Sequence, residues 1–121
     1  MVLILGGLGA GKKRYLRSLG FTDAQLSNDP DADAPVLVDL EAAVRTDPAS
    51  SAALFEKCLR KKFVLCREVG SGVIPMDPNE RAWREATGRL CCALAERADA
   101  VVRVVSGIPT ALKGALPCIS D

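Results

Sequence analysis

Short, unbroken apolar runs punctuate this chain at Val2-Leu3-Ile4-Leu5, Val36-Leu37-Val38-Asp39-Leu40, Phe63-Val64-Leu65-Cys66 and Ala100-Val101-Val102-Arg103-Val104-Val105. None alternates strictly with polar residues, which is the pattern of strands covered on both faces. Arg103 interrupts the last run and predicts that one face or edge of that strand meets solvent. Helical spacing fills the intervals. Tyr15, Leu16 and Leu19 predict a helix over 12–19, with Gly20 as its C-cap. Leu54, Phe55, Cys58 and Leu59 predict a second over 48–61, with Asp47 as N-cap and Pro48 in the first turn. Trp83, Thr87, Leu90 and Leu94 share one face of the longest helix, 78–97, opened by Asp77. Gly88 inside it costs about 1 kcal/mol relative to Ala, which predicts close helix packing there. Phe21 to Pro35, with Ser-Asn-Asp-Pro-Asp-Ala-Asp at its centre, has turn chemistry and reads as loop. Its acidic residues lack the spacing of an EF-hand calcium loop. Strands alternating with helices predict an α/β fold with a mainly parallel sheet and flanking helices.

Composition narrows the class. A chain of 121 residues predicts one domain over 1–121. Phe, Trp and Tyr make up only 4% of it, so the core is Ala, Val and Leu. A net charge of +1 without a basic cluster argues against a nucleic-acid surface. The absence of a long apolar span or a signal-like start predicts a cytoplasmic protein away from membranes. Cys58, Cys66, Cys91, Cys92 and Cys118 lie in apolar surroundings without a Cys-x-x-Cys pair and read as reduced thiols. The sequence contains no histidine, which excludes a histidine base, metal ligand or covalent intermediate within it.

The candidate chemistry follows the first strand directly. Gly6-Gly7-Leu8-Gly9-Ala10-Gly11-Lys12 satisfies the phosphate-loop pattern Gly-x-x-x-x-Gly-Lys in its strand–loop–helix setting. Such glycines let successive backbone N–H groups face phosphate oxygens, and Lys12 would reach the terminal phosphates. The pattern asks next for Ser or Thr, whose hydroxyl ligates Mg²⁺. This chain has Lys13, and an ammonium cannot coordinate a metal. Asp39, at the end of the second apolar run, reads on its own equally as a helix cap or a solvated strand end, and opposite a phosphate loop as a residue that would hold Mg²⁺. Glu68 follows the third run, at the strand end where ligands bind in open α/β sheets.

The second half resembles a known family. Glu68-Val69-Gly70-Ser71-Gly72-Val73-Ile74-Pro75 is similar to the Glu-Val-Gly-x-Gly-Ile-Val-Pro loop of the bifunctional adenosylcobinamide kinase/adenosylcobinamide-phosphate guanylyltransferases. Arg81-Ala82-Trp83-Arg84-Glu85-Ala86-Thr87-Gly88 resembles that family's Arg-x-Phe-Arg-Asp-x-x-Gly. Val104-Val105-Ser106-Gly107-Ile108-Pro109, with Leu112-Lys113, is similar to its C-terminal strand and tail. The resemblance implies a small RecA-like P-loop NTPase domain, a homotrimer, and a role in the nucleotide-loop stage of cobalamin synthesis or salvage. It implies phosphorylation of the aminopropanol hydroxyl of adenosylcobinamide by ATP or GTP, then GMP transfer through a guanylylated histidine. The partners implied are nucleotide and corrinoid.

This chain departs from the family in places that matter. Only the Gly20–Pro35 loop stands where the family carries the segment with the guanylylated histidine, so guanylyl transfer by that route is expected to be lost. Arg67 replaces an Asn before the Glu-Val-Gly, and Cys91-Cys92 replaces an Asn-Gln pair. The leading expectation is a shortened, kinase-only enzyme. Gly6 to Lys13 would bind nucleotide, Lys12, Asp39 and Glu68 would be catalytic, and Asp39 and Glu68 would position Mg²⁺ or activate the acceptor hydroxyl. The alternative is a non-catalytic relative that binds nucleotide or a partner subunit. A core this small would also gain from oligomerisation.

Overall fold

A computed structural model of the chain describes residues 1–46, 51–69 and 77–118. In chain order the elements are β1 (Val2–Gly6), α1 (Lys12–Ser18), a 3₁₀ turn (Asp23–Gln25), β2 (Leu26–Ser27), β3 (Val36–Leu37), α2 (Leu40–Thr46), α3 (Ser51–Leu59), β4 (Phe63–Arg67), α4 (Pro78–Arg97), β5 (Ala100–Val105) and β6 (Ile108–Lys113). The strands form one sheet in the order β2-β3-β4-β1-β5-β6. All neighbours are parallel except β5 and β6. This is the α/β architecture with a mainly parallel sheet that the apolar runs predict.

The sheet separates two buried layers. On one face, Leu3, Leu37, Val64, Cys66 and Val101 pack under α2, α3 and α4 through Leu40, Val44, Leu54, Cys58, Leu90 and Leu94. On the other, Ile4, Val36, Val38, Leu65, Val102 and Val104 pack against Tyr15 and Leu16 of α1. Phe21 closes that layer with an edge-on contact to Phe63, ring centroids 5.1 Å apart. β1 and β4 therefore need apolar residues at successive positions, not alternate ones.

The structure corrects several boundaries. The second strand ends at Leu37, because Asp39 adopts a left-handed φ of 57° and turns the chain into α2. The Asp39 carbonyl accepts the Ala42 N–H at 2.9 Å, so Leu40 belongs to a helix and lines the core with Val44 one turn later. Within the expected Phe21–Pro35 loop, Leu26 and Ser27 pair with Val36 and Leu37 as an edge strand. α3 spans Ser51–Leu59; the proposed cap Asp47 and first-turn Pro48 lie outside the described residues. α4 has the predicted limits, with the Asp77 carboxylate accepting the Asn79 N–H at 2.8 Å. Gly88 does not serve close packing, since a Cβ there would meet nothing within 4 Å. The segment after Val105 is not a tail: Ser106 and Gly107, both with positive φ, turn it into β6. β5 is thus internal, and Arg103 is exposed on a face, not at an edge.

A basic cluster does exist, formed by Lys57, Arg60, Lys61 and Lys62 around the Pro30–Pro35 loop. Part of it holds that loop. Lys57 pairs with Asp31 at 2.8 Å, and Lys61 donates to the carbonyls of Ala32 and Ala34 at 2.6 and 2.8 Å. Among the described residues no helix is long and apolar enough to cross a membrane.

Candidate functional site

The sheet order brings the candidate residues to one end. After β1 the chain runs to one side through β2, β3 and β4, then crosses to β5 on the other side of β1. The phosphate-loop sequence therefore lies at the switch point, outside the carboxyl ends of the strands, where open α/β sheets bind ligands.

Two glycines of the loop are imposed by its surroundings. A Cβ on Gly6 would lie 2.8 Å from the Val104 carbonyl oxygen. Gly11 has φ of 94°, and a Cβ there would lie 3.1 Å from the Gly107 Cα. The β5–β6 hairpin braces the loop, with the Gly107 N–H donating to the Ala10 carbonyl at 2.8 Å. Within the loop, the Ala10 N–H donates to the Gly7 carbonyl at 3.1 Å. Leu8 stands out at its tip, 84% exposed.

Lys12 opens α1 and folds back over the loop, its Nζ donating to the carbonyls of Gly6 and Gly7 at 2.8 and 2.9 Å. Partial burial pulls its ammonium below the usual lysine range, opposed by the nearby carboxylates of Glu41 and Asp39; Arg67 adds to the lowering. Lys13 is exposed beside Lys12. It lines an open cleft of about 400 Å³ with Arg17, Asp23, Ser27, Asn28 and Asp39. Lys13 and Asp39 therefore share a cleft, where the usual pattern would set a hydroxyl opposite the acid.

Glu68 is placed differently from Asp39. Its backbone N–H donates to the Gly6 carbonyl at 3.0 Å, which sets it against the loop. Its carboxylate, however, faces β5 and grips the Arg103 guanidinium, with Nε to Oε1 at 2.8 Å and Nη2 to Oε2 at 3.2 Å. Both oxygens are engaged. The following residues, Gly70 to Pro75, lie outside the described residues.

Sequence reasoning missed Glu41. It sits in the first turn of α2 and its Oε1 accepts the Arg67 N–H at 2.8 Å. Its own carbonyl accepts the Trp83 indole N–H at 2.7 Å. Arg45, one turn on, stacks 3.9 Å above the Trp83 ring and pairs with Glu80 at 2.8 Å. The available signal was the Leu40/Val44 spacing, which marks a helix and puts residue 41 beside the strand ends.

All five cysteines are free thiols, as their setting predicts. Burial pushes Cys58 up to about 12. A hydrogen bond with Cys91, together with burial, raises Cys66 still further. Among the described residues, no group of three or more His, Cys, Asp or Glu side chains is arranged to hold a metal ion.

Comparison with known proteins agrees with this architecture. The family described as "Cobinamide kinase / cobinamide phosphate guanyltransferase" matches residues 22–112. Two curated relatives are similar: the "Bifunctional adenosylcobalamin biosynthesis protein CobU" of Escherichia coli strain K12 and its namesake in Salmonella typhimurium strain LT2. Each is 34% identical over 74 residues, covering 61% of this chain and 41% of the relative. The matched stretch thus spans less than half the length of those relatives. The family match begins beyond the glycine loop, so the loop rests on its own pattern and geometry. The chain belongs to the cobinamide kinase / cobinamide phosphate guanyltransferase family.

Proposed function

We propose that this member of the family acts in cobalamin biosynthesis or salvage as a cobinamide kinase. It would use ATP or GTP to phosphorylate the aminopropanol hydroxyl of adenosylcobinamide, without guanylyl transfer. One observation carries the reading: a Gly-x-x-x-x-Gly-Lys loop stands at the switch point of the sheet, braced by the β5–β6 hairpin. Gly6 to Gly11 would cradle the phosphates. Lys12, released from the Gly6 and Gly7 carbonyls, would meet the β and γ phosphates, and Lys13 would add charge from the neighbouring cleft. The absence of histidine from these residues leaves no group for a guanylylated-histidine intermediate.

Mg²⁺ fits this site only in part. Asp39 lines the cleft, whereas Arg103 already engages both Glu68 oxygens and Lys13 supplies no ligand. Mg²⁺ commonly binds through one or two carboxylates plus substrate phosphates, so Asp39 and the nucleotide would be its ligands here. Bound there, the ion would neutralise charge on the transferred phosphoryl group. Positioning by the loop and electrostatic stabilisation by Lys12 are what these residues contribute to phosphoryl transfer.

A second reading is a non-catalytic relative that binds nucleotide or a partner subunit, in which a corrinoid need not bind. The Glu68–Arg103 pair and Lys13 favour it, since both subtract from the metal-binding set. Calorimetry with GTP and ATP, with and without Mg²⁺ and with Lys12→Ala as control, separates the two when followed by a cobinamide phosphorylation assay. Lys12-dependent binding and phosphate transfer are expected. Binding without transfer would leave the second reading, and no binding would overturn the stand-alone kinase.

A further inference from the structure

Glu41 is held by contacts at both its main chain and its side chain. Its carbonyl is fixed by the Trp83 indole and its Oε1 by the Arg67 N–H. Arg67 is the register partner of Gly6, and the Gly6 carbonyl binds the Lys12 ammonium at 2.8 Å. The Gly6 carbonyl also accepts the Glu68 N–H, so the Arg67 N–H points to the other side of β4, and the Glu41 carboxylate faces Lys12 across that strand, more than one strand spacing of about 4.8 Å from β1. The charged or titratable groups facing Lys12 are Glu41 from α2, Asp39 just before it, and Cys66 and Arg67 from β4. Glu68, although adjacent in the backbone, spends its charge on Arg103.

We propose that Glu41 is a positioning residue of the phosphate loop. Its anchored carboxylate is the counter-charge that holds Lys12 against the Gly6 and Gly7 carbonyls, and an incoming polyphosphate must displace it. This rests on the reading of the loop as a polyphosphate site given above. A phosphate chain entering the loop is drawn by Lys12 and repelled by Glu41, so Glu41 weakens the binding of metal-free polyphosphate. Removing the charge while keeping the hydrogen bond should therefore tighten binding. A purely structural Glu41 predicts no change or a loss.

Glu41→Gln makes that separation, because its amide oxygen still accepts the Arg67 N–H. Binding of pyrophosphate and of GTP without divalent metal would be measured by calorimetry for the wild type, Glu41→Gln, Glu41→Ala and Glu96→Gln. Glu41→Gln combined with Lys12→Ala is the control, and circular dichroism checks folding. Both Glu41 variants should bind about three- to tenfold tighter, through Lys12, while Glu96→Gln, an exposed acid in the last turn of α4, stays within about twofold. If the wild type binds and the Glu41 variants bind equally or more weakly, the proposal is overturned and the loop reading stands. If only the Glu41 variants bind, through Lys12, the proposal stands and nucleotide binding by the natural chain is refuted. If nothing binds, both are overturned.

Discussion

Gly11→Ala tests whether the loop geometry is held by the fold or only by its sequence pattern. Gly11 carries φ of 94°, beyond the small left-handed region that L-residues tolerate. Holding a side chain there costs on the order of 1–3 kcal/mol. The new Cβ would also lie 3.1 Å from the Gly107 Cα, which is backbone and cannot swing aside. Moving the hairpin to relieve that contact stretches the Gly107-to-Ala10 hydrogen bond, now 2.8 Å. Its loss adds about 0.5–1.5 kcal/mol. The sum is about 2–4 kcal/mol, or a fall of about 8–15 °C in melting temperature for a domain of this size. Gly7→Ala is the matched control, since a Cβ there meets nothing within 4 Å. It should stay within about 0.5 kcal/mol of the wild type. Urea unfolding followed by circular dichroism reads both variants. A Gly11→Ala protein as stable as Gly7→Ala would refute the argument that the hairpin braces the loop.

Other consequences are as direct. Leu94 is fully buried between α4 and the sheet, so Leu94→Ala should cost about 2–5 kcal/mol in the same denaturation assay. Brief alkylation of the folded chain should label Cys92 and Cys118, which are exposed, and spare Cys58 and Cys66 until denaturant is added, read by peptide mass spectrometry. Hydrogen bonds from Arg45 hold the Glu80 carboxyl below the usual carboxylate range. A depressed folded-state value makes its contribution to stability present at neutral pH and lost as pH falls through that value. Arg45→Ala should return the Glu80 titration, followed by NMR, to the ordinary range and remove that part of the acid dependence.

Much of the fold was legible because the apolar runs and helical stripes are local signals. Val2–Leu5 and Phe63–Cys66 need cover on both faces wherever they fall in the sheet, and the Asp77 cap with Pro78 behind it marks the α4 start unaided. What stayed hidden depended on single backbone angles or on contacts distant in sequence. Nothing in Val-Leu-Val-Asp-Leu announces that Asp39 takes φ of 57°, and that one residue converts the end of a presumed strand into a helix. Leu26 and Ser27 become a strand only because Val36 and Leu37 lie beside them. Gly88 shows the opposite error, a packing explanation assigned to a glycine around which there is room.

The candidate site divides along the same line. Gly6 to Lys12 is contiguous, so its pattern could be read directly, and the structure adds why Gly6 and Gly11 cannot carry a Cβ. The acids were harder, because a strand-end carboxylate is defined by what lies across from it. Glu68 looks available in sequence, yet the sheet order sets β5 on the far side of β1 and brings Arg103 onto both its oxygens. Glu41 falls just past an expected strand and carries no motif, yet β4 lies between β1 and β3 and presents the Arg67 amide to it. The strand order β3-β4-β1-β5 thus exchanges the surroundings of the two acids: one neutralised by a guanidinium, the other anchored across β4 from Lys12. Charge near the glycine loop is set by that order, which makes the Glu41 substitutions the sharpest probe of the site.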